Sequence, residues 1–417
     1  MRPDSDPSAP PAARNNAMKR YRSGTHRIVP PAATLAWVRP LLQVIGITRI
    51  ANVTGLDRLG IPVVMVTRPN ARSIAVSQGK GLSLEAAKAS GVMEAIETWH
   101  AETILAPLKF ASFDDMHWSH RMIDIAGLPM TVDSPYHDDL PILWIEGRDL
   151  VQGGAIWLPY EMVHTNYTLP APPGSGCFVA NTNGLASGNH RSEAVLHGIC
   201  EIVERDATTL WHLSNDGERQ RKTLDDASVD DSACCSVLER FAAAGLEVRI
   251  WDVTSDVGIA AFLCLVSGRD ETAADPEFGA GCHPAREIAL LRALSEAAQA
   301  RTTFISGARD DMGWDIYASN ARARRRRACA ALLAHAPARR FSETPSWQSD
   351  SIDADIDAAL IRLQAVGITE VAVVDLTKPA LRIPVVRVVI PRLEGAIDVE
   401  GGFLPGARGH RLISAAP

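Results

Sequence analysis

Glu94 and Glu97 lie three residues apart in the stretch ASGVMEAIETWHAE (89–102), which contains no Lys or Arg. Like charges at this spacing destabilise an isolated helix by a few tenths of a kcal/mol, so keeping them calls for a compensating partner, and a bound cation is one. With Ser90 they occupy i, i+4 and i+7, within an arc of roughly 60° on a helix. Two later segments repeat the pattern. In SEAVLHGICEIVERDA, Glu193, His197, Glu201 and Glu204 fall within about 80° of one another. In IALLRALSEAAQAR, Arg292, Glu296 and Gln299 share one side while Arg301 falls on the other. Taken singly, each stripe also reads as a solvated helix face.

The segments before these helices narrow the chemistry. SQGKGLS (77–83) and NTNGLASGNHRSEA (181–194) place glycines and small polar residues just ahead of a helix, with Ser83 and Ser192 as expected N-caps. Glycine lets the backbone approach a ligand closely, and the free N–H groups at a helix start suit phosphate. Lys80 is followed by Gly81 rather than Ser or Thr, so this is no Walker A loop, and the chain has no GxGxxG. What remains is a set of carboxylates that bind hard cations through oxygen, with Lys80, Arg205 and Arg292 to neutralise oxyanions. Mg²⁺ is commonly held by a few carboxylates together with substrate phosphates, so this set fits ATP chelated by magnesium.

The elements that must position these residues alternate along the chain. Strands are predicted at IPVVMV near residue 61, LEVRIWDV, IAAFLCLV, TEVAVVDL and IPVVRVVI; helices are predicted near 84–103, 192–211 and 286–304. The fold class is therefore mixed α/β. Residues 1–17, rich in Pro, Ser and Ala, read as a disordered tail before one domain over 18–417. The 417 residues, 46% of them hydrophobic, suffice for one large core or two ordinary ones. A net charge of −7 argues against nucleic-acid binding. No apolar run reaches the roughly 18 to 20 residues of a membrane span and no signal peptide is visible, so a cytoplasmic location is expected. The seven cysteines form no CxxC pair and suggest neither a disulfide framework nor a zinc site, leaving open a sulfur relay through one of them. The arginine run at 322–327 reads as a solvated helix face, with a leader-peptide or RNA contact as the alternative. His197 reads either as a general base or as a partner of a neighbouring Glu.

From Lys19 to the C-terminus the chain resembles the YcaO family of ATP-dependent enzymes that modify peptide backbones. GKGLSLEAAKASGVMEAIE, NGLASGNHRSEAVLHGICEIVERDA and HPAREIALLRALSEAAQAR are similar, in this order, to the three segments of that family's ATP site. The resemblance implies a nucleotide site containing Lys80, Ser90, Asn183, Glu193, Arg205, Arg292 and Gln299. It implies Mg²⁺ ligands among Glu94, Glu97, Glu201, Glu204 and Glu296, and leaves the catalytic residues unassigned. Thr98 departs from the pattern, since many members have Arg directly after the second Glu. The chemistry implied is O-phosphorylation of a backbone amide by ATP with Mg²⁺, after which external sulfide gives a thioamide, or a Cys, Ser or Thr side chain gives an azoline. The ending GHRLISAAP lacks the Pro-x-Pro-x-Pro tail of many azoline-forming members, and RYRSGTHRIVPPAATL with LPGARG is similar to members that work with a TfuA partner. The expected function is thus thioamide formation in a ribosomally made precursor peptide or a protein, with a TfuA-like partner. A homodimer is left open, and azoline formation and an inert peptide-binding scaffold remain as alternatives.

Overall fold

Two of the apolar runs become central strands buried along almost their whole length, each flanked by antiparallel neighbours. In the computed structural model, which describes residues 17–268, 275–397 and 402–414, Val63–Thr67 lies between Arg49–Asn52 and Val76–Lys80. Ala261–Gly268 likewise lies between Leu246–Asp252 and Glu277–Cys282. A third sheet runs in the order Leu108–Ala111, Ile142–Asp149, Ala372–Asp375, Val385–Val389, Leu185–Ser187, with Ala155–Pro159 paired to Ile142–Asp149 outside this path. All these pairings are antiparallel, and with the helices they give the expected mixed α/β class.

The first acidic helix, Leu84–Glu102, follows strand Val76–Lys80 and packs back on it. The third, Arg286–Ser306, stands in the same relation to Glu277–Cys282. Glycine makes both contacts feasible. A Cβ on Gly79 would lie 2.0 Å from the Ala87 carbonyl oxygen, and one on Gly279 would lie 2.2 Å from the Ala297 nitrogen. Helix backbone therefore rests directly on strand backbone in both units. The second acidic helix, Arg191–Leu213, packs on Val385–Val389 and Leu185–Ser187 and also touches Glu277–Cys282. It thereby bridges the large sheet and the second small one.

Local details decide where these helices begin. Ser83 caps the first, its hydroxyl accepting from the Ala86 N–H. Ser192 does not cap the second: the helix starts at Arg191, His190 accepts the Ser192 N–H, and the Ser192 hydroxyl is drawn to Asp353. Of the expected tail, residues 1–16 lie outside the described residues, whereas Ala17 is packed, donating its N–H to Asp353 at 3.0 Å. The arginine run lies on helix Ser319–Leu333, and only part of it is a solvated face, because Arg322 and Arg326 pair with Asp275 and Arg325 pairs with Glu277. Adjacent arginines point all around a helix, and three of them meet the acids at and just before the start of strand Glu277–Cys282. Trp211 is core, tilted against Trp251 with ring centroids 5.0 Å apart. Among the described residues all seven cysteines are free, and no helix is long and apolar enough to cross a membrane.

Candidate nucleotide site

Strand Val76–Lys80 links the two outer acidic helices. The Lys80 ammonium meets Glu296 at 2.5 Å, and Glu296 also accepts the Ala280 N–H at 3.3 Å. Two residues earlier, the Gln78 N–H donates to Glu94 at 3.3 Å, while the Gln78 side-chain oxygen accepts from Gln299 at 3.1 Å and from the Thr303 hydroxyl. Glu97 reaches the large sheet, accepting the Ser187 N–H at 2.8 Å and its hydroxyl at 2.7 Å. Three helices whose acidic stripes are about a hundred residues apart in sequence thus converge on one cleft.

The carboxylates repel one another in this half-buried cleft. Burial pushes Glu94 up to about 7, with Glu201 adding to the rise. It pushes Glu97 up to about 8, aided by Glu94 and Glu201, and Glu204 up to about 7, aided by Glu296. Glu201 is raised by the same burial. Burial would raise Glu296 as well, but Lys80 and Arg205 overcome it and hold that carboxyl below its ordinary value. Such a cluster holds protons at neutral pH unless a cation replaces them. Among the described residues no three His, Cys, Asp or Glu side chains form a complete metal cage. Mg²⁺ commonly completes its coordination with nucleotide phosphate oxygens beside one or two protein carboxylates.

The remaining expected residues are placed in different settings. Arg205 acts electrostatically on Glu201, Glu204 and Glu296, inside the cleft. Arg292 donates to the Cys282 carbonyl at 3.1 Å and to His197 Nδ1 at 3.0 Å, so the partner of His197 is an arginine rather than a glutamate. Glu193 is a brace: its two oxygens accept the N–H groups of Ile28 at 2.6 Å and Asn189 at 2.8 Å. Ser90 is exposed. The Asn183 side-chain oxygen is buried without a partner among the described residues and lines a cavity with Asn181, Ile202 and Glu394. Thr98, the departure from the family pattern, receives a 3.1 Å hydrogen bond from Arg68, whose guanidinium is clamped by buried Glu102.

Two arginines enter the neighbourhood without having been expected. Arg387 is 1% exposed, donates to the Asn181 carbonyl at 2.9 Å, and keeps Nε and Nη1 without partners among the described residues. Burial lowers it to about 10, and Glu201 is within its electrostatic reach. Its signal was present in IPVVRVVI, an arginine inside an otherwise apolar strand. Arg27 lines a cavity with His197 and Arg292, and no spacing in the sequence pointed to it.

The comparisons with known proteins give the family. The sequence profile of the YcaO cyclodehydratase family, described as ATP- and Mg²⁺-binding, matches residues 78–394. A protein encoded in the tfuA 3′ region of Rhizobium leguminosarum bv. trifolii is 37% identical over 411 residues, 96% of each chain. A protein of Methanothermobacter thermautotrophicus is 35% identical over 379 residues, 88% of this chain and 94% of its own. In fold, the chain is similar to YcaO from Methanopyrus kandleri bound with AMPPCP and Mg²⁺, with a TM-score of 0.73, 23% identity and coverage of 93% and 98%. It is also similar to a heterocyclase in complex with substrate and cofactor, with a TM-score of 0.76, 21% identity and coverage of 96% and 58%. With its three acidic helices converging inside the matched region, the chain belongs to the YcaO family and has that family's cofactors, ATP and Mg²⁺.

Proposed function

We propose that this chain forms a thioamide from a backbone amide of a peptide or protein, in company with a TfuA-type partner. The observation that carries the reading is the 37% identity, over 96% of both chains, to a protein encoded beside tfuA. The cleft supports it chemically. When bound, MgATP supplies the phosphoryl group that turns an amide oxygen into a leaving group. Glu94, Glu97, Glu201, Glu204 and Glu296 are the residues to hold the metal, and Lys80 and Arg205 to hold phosphate. Phosphoryl transfer depends mostly on positioning and charge stabilisation, which guanidinium and ammonium groups in a half-buried cleft can supply. Lys80, paired with Glu296 in this structure, is free to turn to phosphate once a metal neutralises that carboxylate.

The test combines purified protein, the TfuA-type partner, MgATP, sulfide and a cognate peptide. A peptide heavier by the difference between sulfur and oxygen, formed only with sulfide and accompanied by phosphate release, is the expected result. A peptide that loses water, needs no sulfide and depends on a Cys, Ser or Thr side chain would replace the thioamide with an azoline. Peptide binding without nucleotide binding would leave only a scaffold.

A further inference from the structure

The LPGARG segment (404–409) packs on helix Arg191–Leu213 and grips it through one buried side chain. Asp206, 0% exposed, comes directly after Glu204 and Arg205. Arg408 holds its carboxylate with a fork, Nε donating to one oxygen at 2.8 Å and Nη2 to the other at 3.0 Å, and the same guanidinium meets Asp256. The Glu394 N–H also donates to Asp206, at 2.9 Å, while the Glu394 carboxylate accepts the N–H groups of Gly406 at 2.8 Å and Gly409 at 2.7 Å. Both glycines serve this approach. A Cβ on Gly406 would lie 2.9 Å from a Glu394 oxygen, and one on Gly409 would lie 2.9 Å from the Leu213 side chain. One turn along the helix, the Thr209 hydroxyl donates to the Gly395 carbonyl at 2.7 Å. At about 100° per residue, Asp206 stands roughly 140° and 160° round the helix from Glu201 and Glu204, so the grip is on the side away from the cleft.

That placement gives the contact leverage over the site. Elsewhere the helix rests on apolar side chains such as Val386 and Val388, and apolar contacts resist a roll about the axis weakly because they have no direction. A guanidinium–carboxylate fork has direction. A roll of about 10° carries a carboxylate held roughly 6 Å from the axis through about 1 Å, a misplacement that costs on the order of 100-fold where groups must be positioned. We infer that LPGARG is a latch that fixes the rotation of this helix, with Arg408 and Glu394 as positioning residues for Glu201, Glu204 and Arg205. The inference rests on the reading of those three residues as part of the MgATP site. Stability alone gives the pair little reason to exist, because a buried ion pair is often replaced by apolar residues of similar volume at no cost. Direction is what such a replacement does not keep.

The test uses the full chain, metal-free and with Mg²⁺ and a non-hydrolysable ATP analogue, and compares Arg408→Met with the double substitution Asp206→Leu, Arg408→Met. The single variant strands Asp206 as a buried unpaired charge, so its thermal midpoint should fall by several degrees and its Kd for the analogue should rise about tenfold or more. The double variant removes both charges. Its midpoint should return close to that of the parent while the Kd stays about tenfold high, and in the metal-free protein the amides of residues 198–206 should exchange with solvent faster than in the parent. Arg408→Lys, which keeps the charge but not the fork, should lie between the parent and Arg408→Met in affinity. A Kd that recovers together with the midpoint in the double variant would make the network an ordinary stabilising contact and overturn the inference, leaving the nucleotide site standing. Unchanged exchange over 198–206 in that variant would overturn it too, whatever the midpoint. A parent protein that binds no analogue would overturn the nucleotide-site reading and the latch with it.

Discussion

Lys80 and Glu296 meet at 2.5 Å although 216 residues separate them in the chain. The contact ties the edge strand of one small sheet to the helix that backs the other, and both side chains are only partly exposed, at 22% and 33%. An ion pair in this setting is a poor source of stability but a good switch, because a metal at the carboxylate releases the ammonium. Lys80→Met should therefore leave the fold intact and raise KM for ATP by roughly tenfold, read from phosphate release against ATP concentration. An unchanged KM would mean that Lys80 serves only Glu296.

The raised carboxyls give a pH dependence of definite sign. Glu94, Glu97 and Glu204 sit at about 7, 8 and 7, whereas an unfolded glutamate titrates near 4.3. Between these limits the native protein keeps protons that the unfolded chain has lost. Stability is thus fullest below the unfolded value and falls as pH rises through the folded ones. The thermal midpoint of the metal-free protein should decline from about pH 5 to about pH 8. Mg²⁺ with a non-hydrolysable ATP analogue should reverse the decline and release protons near neutral pH, measured by calorimetry in buffers of different ionisation enthalpy. Binding without proton release would show that these carboxyls do not meet the metal.

Close packing supplies a test of the scaffold. A Cβ at Gly279 would lie 2.2 Å from the Ala297 nitrogen and 2.3 Å from the Ala293 carbonyl oxygen, both of them backbone atoms that cannot swing aside. Gly279→Ala should destabilise the protein by about 1 to 3 kcal/mol in denaturant and weaken nucleotide binding by shifting the helix that carries Glu296. Gly55→Ala, where a Cβ would meet nothing within 4 Å, is the matched control and should be close to neutral.

The sequence showed most where structure is local. Periodicity located Leu84–Glu102, Arg191–Leu213 and Arg286–Ser306 to within a few residues, and their polar stripes do converge. It said little about the six-stranded sheet, because strand Ile142–Asp149 finds its partner at Ala372–Asp375, and pairing over that distance leaves no mark on either segment. The partner of His197 was hidden for the same reason, since Arg292 lies 95 residues away. The Ser192 cap failed because Asp353, also remote, takes the hydroxyl. Arg387 was legible as a charge inside an apolar strand, but its partner Asn181 was not.

One stripe of one helix separates two kinds of glutamate. Glu193 and Glu204 lie on the same face of Arg191–Leu213, 1% and 8% exposed, and composition cannot tell them apart. Glu193 spends both oxygens on the backbone N–H groups of Ile28 and Asn189, so its carboxylate is satisfied without any ligand. Glu204 is raised by burial and by Glu296, with Arg205 opposing, which marks a charge that is crowded rather than satisfied. Glu193→Gln swaps one acceptor oxygen for a donor amide facing a backbone N–H. It should destabilise the fold by about 1 to 3 kcal/mol while the surviving folded protein still binds MgATP. Glu204→Gln keeps the shape and removes a repelled charge, so the metal-free protein should be as stable as the parent or more stable, and MgATP-dependent turnover should be lost. Denaturation curves and phosphate release measured on the same two variants decide the matter. Near-normal turnover by Glu204→Gln, or loss of turnover without loss of stability in Glu193→Gln, would reverse the two assignments.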